Sequence, residues 1–202
     1  MEPTTAQSPP PLAPFTFSPT LSAFNIPMST YLSSLSSFPS QQQQLPHQGI
    51  ASGALIFSSS PTTSPATKIL ILQRAASDSS PNKWEIPGGG VDHTDPTILH
   101  GVAREVLEET GLVVRHISRM VGPEGLAFVT RRGLRVVKFA FEVEVEEGGE
   151  VKLDKNEHQR FLWAGEEECR DARMGDGYVV EFTGRKHQEC ILEGFRLRRE
   201  GM

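Results

Sequence analysis

The run Arg104-Glu105-Val106-Leu107-Glu108-Glu109-Thr110-Gly111-Leu112 constrains the fold more than any other stretch, because it sets three glutamates on one side of a helix that is about to end. Glu105, Glu108 and Glu109 stand at i, i+3 and i+4, within roughly 100° of arc on an ideal helix. Like charges so spaced repel, and acids in the last turns face the negative end of the helix dipole, each effect costing a few tenths to about 1 kcal/mol. Arg104 supplies one compensating charge. Three converging carboxylates also suit a hard divalent cation such as Mg²⁺ or Mn²⁺, which keeps several waters and is completed by phosphate oxygens. The alternative is an acidic helix face paired to Arg104 and solvated.

The flanking residues predict a loop, a helix and a second loop. Asp95-Pro96 makes a good N-cap and first-turn pair, and Gly111 is a natural helix stop. Ile98, Val102 and Val106, with Leu99 and Leu107, form an apolar stripe that leaves the three glutamates on a different face. Ahead of the helix, Pro87-Gly88-Gly89-Gly90 permits close approach of backbone to a ligand, although glycine runs also simply make turns.

Together these residues resemble the signature of the Nudix hydrolases: Gly, five residues, Glu, seven residues, then Arg-Glu-apolar-any-Glu-Glu-any-Gly-apolar. The second half matches without a gap from Arg104 to Leu112, and Trp84 to Asp92 resembles the strand and loop that lead into it. The first half departs from the pattern. With Gly89 as the signature glycine, Asp95 replaces the Glu and eight residues separate it from Arg104; counting from Gly90 restores the spacing but puts Pro96 at the acid position.

The resemblance implies an α+β domain of Nudix type, an α/β/α sandwich around a mixed sheet. It further implies a Mg²⁺- or Mn²⁺-dependent hydrolase that cleaves the pyrophosphate bond of a nucleoside diphosphate linked to another moiety, a small-molecule substrate. On that basis Glu105, Glu108 and Glu109 are the metal ligands, and Glu105, Glu109 or Glu157 is the general base. Arg104 would pair with a carboxylate of the signature and fix its rotamer, with Glu85 assisting from the neighbouring strand. Gly88, Gly89 and Gly90 would form the phosphate loop. Asp154 competes with Glu157 for the loop-acid role, and His158 reads first as a structural residue and second as one that orients substrate or carries a proton. The alternative function is a catalytically silent Nudix-fold module that binds a nucleotide and regulates a partner.

Charge distribution shows where the domain lies. Glu2 is the only Asp, Glu, Lys or Arg before Lys68, and residues 1–47 hold nine of the fifteen prolines, nine serines and the run Gln41 to Gln44. Such a composition predicts a disordered tail over residues 1–46 and a folded domain over 47–202. Phe15, Phe17, Phe24, Ile26, Tyr31 and Phe38 leave room for a short segment that folds on a partner. The domain carries 20 basic and 24 acidic side chains, a balance that disfavours extended nucleic-acid binding. Arg131, Arg132 and Arg135 form one small basic cluster and Arg196, Arg198 and Arg199 another, read as solvated surface or, second, as phosphate contacts. No apolar run reaches the length of a membrane span. The tail, without Arg or Lys, fits no targeting peptide, and Cys169 and Cys190 form neither a disulfide framework nor a zinc spacing; the expectation is a reducing, cytoplasmic setting. A homodimer is left open.

Elsewhere the pattern predicts strands at Ile50 to Phe57 and Lys68 to Gln73, joined as a hairpin, and a brief strand at Trp84 to Ile86. Val113 to Val121 should be extended and broken at Gly122-Pro123, with Leu126 to Thr130 beyond it. Leu134 to Glu146 alternates, Phe139, Phe141, Val143 and Val145 facing inward and Lys138, Glu142, Glu144 and Glu146 facing solvent. Phe161-Leu162-Trp163 is a further strand, Trp84 and Trp163 read as core aromatics, and Cys190, Ile191, Leu192 and Phe195 give the spacing of a C-terminal helix.

Overall fold

The computed structural model describes residues 12–36, 46–58 and 67–201. In chain order the strands are β1 (Thr16–Phe17), β2 (Gly49–Ile56), β3 (Lys68–Arg74), β4 (Trp84–Glu85), β5 (Val114–Val129), β6 (Arg135–Val145) and β7 (His158–Gly165). The helices are α1 (Met28–Ser36), α2 (Ile98–Thr110), α3 (Glu166–Asp171) and α4 (Arg185–Glu200), with a 3₁₀ turn at Pro19–Phe24.

β1, β5, β6 and β2 lie side by side in that order as a mixed sheet, β5 and β6 antiparallel and the outer pairs parallel, while β4, β3 and β7 form a smaller antiparallel sheet. Val102 and Val106 of α2 pack with Val137, Phe139 and Phe141 of β6 on one face. Ile191 and Phe195 of α4 pack with Leu55, Phe57 and Ala140 on the other. β2 is covered on both sides, so Ile50 to Ile56 is buried throughout rather than alternating, as expected for a parallel strand inside a sandwich. This is the α+β architecture the sequence predicts.

Several local expectations need correction. The β2–β3 hairpin holds at the connected ends alone, where Phe57 and Ile69 form an antiparallel bridge and the Ser58 N–H donates to the Lys68 carbonyl; the two strands then diverge into different sheets, and β2 pairs with β6 from Gly49↔Val136 to Ile56↔Val143. The Gly122-Pro123 break does not end the strand. β5 runs through it, absorbing the irregularity as a register shift between Val121 and Leu126. Glu142 does not face solvent; it is 3% exposed under α4, where Arg119 and Arg198 hold its carboxylate. The basic residues 196, 198 and 199 are likewise engaged within the domain, with Glu193 and Glu200, Glu142 and Glu166 respectively.

Part of the stretch whose composition predicts a tail is ordered within the domain. Residues 12–36 pack on the domain: β1 pairs with His116 and Ile117 of β5, and Leu21, Phe24 and Met28 are buried in the core beside α2. Phe24 stacks edge-on against Phe139 and Phe141, and Tyr31 against Phe139. Low charge was the misleading signal, since aromatic side chains supply a large buried area each and the partner they fold upon is the chain's own sheet. Residues 1–11 and 37–45, including Phe38, lie outside the described residues. No described helix is long and apolar enough to cross a membrane.

Candidate metal and phosphate site

α2 starts at Thr97, whose hydroxyl accepts from the His100 N–H, and not at Asp95 as the sequence suggests. Asp95 is 8% exposed and turned inward, where its two oxygens accept from Nε and Nη2 of Arg104 at 2.9 and 3.0 Å and one also accepts from the Asp92 N–H. A β-hydroxyl at residue 97 and a half-buried arginine nine residues beyond Asp95 together outcompete the Asp-Pro cap. At the other end Gly111 adopts φ +68°, closing the helix as expected.

Arg104 is the hub of the site. Besides Asp95 it donates to Glu105 at 2.9 Å, Glu108 at 2.7 Å and the Gly90 carbonyl at 2.8 Å. The three helix glutamates therefore do not behave alike. Glu105 and Glu109 are buried at 9% and 4% exposure, whereas Glu108 is exposed and leans toward Arg104.

The glycine loop is built against those acids. Residues 86–91 run along β2, with Ser52 and Ala54 donating to the Gly89 and Pro87 carbonyls. Gly88 sits at φ +141°, where a Cβ would stand 2.3 Å from the Ser52 carbonyl oxygen, and its N–H donates to Glu109 at 2.6 Å. A Cβ on Gly89 would stand 2.6 Å from a Glu105 oxygen. Only Gly90 has open space, so the first two glycines are there for close approach and the third is not.

Below the acids lies a second polar layer. Glu85 pairs with Arg74 and with His158, not with Arg104, and His158 is 1% exposed between Glu85 and Glu109. The loop before β7 supplies Glu157, and one ligand atom from each of Glu109, Glu157 and His158 lies within 4.8 Å of the other two. Asp154 instead binds the backbone and side chain of Asn156 and shapes the turn.

Burial pushes the Glu109 carboxyl up to about 9, aided by the charges of Glu105, Glu85 and Glu157 and opposed by the Gly88 N–H. Burial raises Glu105 too, against the pull of Arg104. Glu85 is also buried, but His158, Lys138 and Arg74 outweigh that and hold it below the usual range. Two neighbouring acids that resist ionisation form a site short of positive charge. Its oxygen and nitrogen donors, with a glycine backbone drawn close, fit a divalent cation.

Beyond Ile86 a cleft of about 490 Å³ opens between β5, β6 and α4, lined by Val121, Leu126, Lys138, Lys186, His187 and Cys190. Nothing in the sequence pattern marked it, because its walls come from four separated segments. His187 accepts from the Ile86 N–H at 3.1 Å and shares a hydrogen with the Thr183 hydroxyl at 3.0 Å. Burial and nearby Lys138 lower its pKa to about 3, so it is a neutral brace for the entry to the glycine loop.

The NUDIX domain profile matches residues 50–181. No curated protein sequence matches the chain. Among solved structures, the MutT protein of Methanosarcina mazei Go1 is 25% identical with a TM-score of 0.54, the alignment covering 76% of this chain and 94% of that one. The NUDIX domain of Shewanella oneidensis NrtR, complexed with ADP ribose, is 16% identical with a TM-score of 0.57, covering 82% and 97%. A C. elegans Ap4A hydrolase is 19% identical with a TM-score of 0.54, covering 76% and 99%.

Proposed function

This chain belongs to the NUDIX family, and on that premise we propose that it is a divalent-metal-dependent hydrolase cleaving the pyrophosphate bond of a nucleoside diphosphate linked to another moiety. The observation that carries the reading is the pair Glu105 and Glu109, buried against a glycine loop with no lysine or arginine to neutralise Glu109 among the described residues. The Shewanella domain bound to ADP ribose and the worm Ap4A hydrolase support a nucleotide-type ligand, and the 490 Å³ cleft beside Ile86 is of the size that takes small molecules.

Glu105, Glu108 and Glu109 are the proposed holders of the cation, Mg²⁺ or Mn²⁺. When bound, such a cation supplies neutralisation of the diphosphate oxygens and makes water a better nucleophile at neutral pH. The chain's own part is positional. Gly88, Gly89 and Gly90 form the proposed phosphate loop, the first two drawn close to Ser52 and Glu105, and the Gly88 N–H orients Glu109. Arg104 locks the rotamers of Glu105 and Glu108 through its fork and ties them to Asp95 and the Gly90 carbonyl. A carboxylate among Glu105, Glu109 and Glu157 accepts the proton of the attacking water; Glu157, exposed at the edge of the acids, is free to face it.

A second reading, a binding module without turnover, draws on Arg104 already occupying Glu105 and Glu108. One experiment separates the two. The full chain is given nucleoside diphosphate derivatives with Mg²⁺ or Mn²⁺ and products are followed chromatographically. Turnover that collapses in Glu109→Gln supports the hydrolase, and tight binding with no product from any compound supports the module.

A further inference from the structure

His158 is the first residue of β7 and 1% exposed, yet half of its hydrogen-bonding capacity is unused. Nε2 lies 3.4 Å from a Glu85 oxygen. Glu85 is itself held by Arg74 as a carboxylate, which can only accept, so the imidazole proton belongs on Nε2. The other nitrogen, Nδ1, is then left with a bare lone pair. It has no hydrogen-bond partner among the described residues, and the polar atom it faces is Glu109 Oε1 at 3.9 Å, beyond hydrogen-bond reach. A buried nitrogen lone pair and a carboxyl oxygen 3.9 Å apart are spaced for one cation to bind both, displacing the Glu109 proton. Glu157, next in sequence, brings a third donor into the same 4.8 Å group.

A carboxylate that receives one imidazole N–H while the opposite nitrogen points into an acidic site is the arrangement by which proteins orient a histidine toward a metal. We infer that Nδ1 of His158 binds metal directly, forming with Glu109 and Glu157 a mixed nitrogen and oxygen site that takes Mn²⁺, Co²⁺ or Zn²⁺ in preference to Mg²⁺. Imidazole suits these ions, whereas Mg²⁺ is served by oxygen alone. The inference rests on the hydrolase reading only for the presence of a divalent cation. It changes the role of His158 from a packed histidine to a ligand, and it gives Glu85 the task of aiming it.

The test uses the full chain loaded with one equivalent of Mn²⁺ and pulsed electron paramagnetic resonance, which registers nitrogen bonded to the ion whatever the catalytic rate. A ¹⁴N coupling is expected in the wild type and lost in His158→Gln. Calorimetry should accompany it, with Mn²⁺ affinity falling on the order of 10- to 100-fold in the variant and Mg²⁺ affinity far less. Should His158→Gln not fold, His158→Asn takes its place, and Glu157→Gln, which keeps the imidazole, should weaken Mn²⁺ binding while retaining the coupling. Bound Mn²⁺ without nitrogen coupling, or a coupling unchanged in the His158 variants, overturns the inference and leaves the hydrolase reading intact. Failure of every divalent ion to bind would overturn both.

Discussion

The backbone N–H of Gly88 donates to Oε2 of Glu109 at 2.6 Å, joining the glycine loop to a helix residue twenty-one positions later. The bond requires a loop conformation, φ +141°, that side chains rarely adopt, and leaves no room for a Cβ against the Ser52 carbonyl. Gly88→Ala is therefore expected to cost about 1–3 kcal/mol, read by urea denaturation, and to lower turnover by moving Glu109. Gly90→Ala, with open space around it, should leave stability nearly unchanged.

Glu109 gives the metal-free protein a pH signature. In the folded state its carboxyl keeps a proton up to about pH 9, while the ordinary value is 4.5. Between those limits the folded chain holds a proton that the unfolded chain has released, so this contribution to stability is complete below pH 4.5 and is lost as pH rises toward 9. The slope is at most about 1.4 kcal/mol per pH unit. Chemical denaturation across that window, in the presence of a chelator, should show a steeper fall for wild type than for Glu109→Gln.

Arg104 is replaced by lysine at a cost that charge alone would not foresee. A single ammonium cannot reproduce the two-pronged contact with Asp95 while also reaching Glu105, Glu108 and the Gly90 carbonyl. Arg104→Lys is expected to lower metal affinity or kcat on the order of 10- to 100-fold with the chain still folded. Metal titration and steady-state kinetics check it.

The amino-terminal segment belongs to the domain. Phe24 is 7% exposed and meets Tyr31, Phe139 and Phe141, while the Ile26 carbonyl accepts from the Ile98 N–H at the start of α2. Phe24→Ala should destabilise by about 3–5 kcal/mol, and removal of residues 1–45 should lower the Tm and expose apolar surface to a dye such as ANS.

What could be read in the sequence, and what could not, follows the range of the forces involved. α2 was legible because its 3.6-residue stripe, its acids and Gly111 are all local, and the alternation of Phe139, Phe141 and Val143 marked β6 for the same reason. The parallel pairing of β2 with β6 joins segments more than eighty residues apart and leaves no local trace. Asp95 was placed at the site but given a cap's role, because its true partner, Arg104, lies on the far side of a helix turn. Residues 12–36 were misjudged because few charges and many prolines resemble disorder until the aromatic side chains find a sheet to cover. At the site, the signature located Glu105 and Glu109 and the resemblance pointed to Glu157 as the loop acid, but the divergence of Glu108 and the placing of His158 between Glu85 and Glu109 depend on packing.

Metal binding measured by calorimetry at neutral pH, repeated in buffers of different ionisation enthalpy, tests the central claim most directly. If a divalent cation displaces the proton held by Glu109, wild type should release about one proton per bound Mg²⁺ or Mn²⁺ and Glu109→Gln should bind far more weakly and release none. Absence of binding to wild type, even with a nonhydrolysable diphosphate analogue present, would contradict the account.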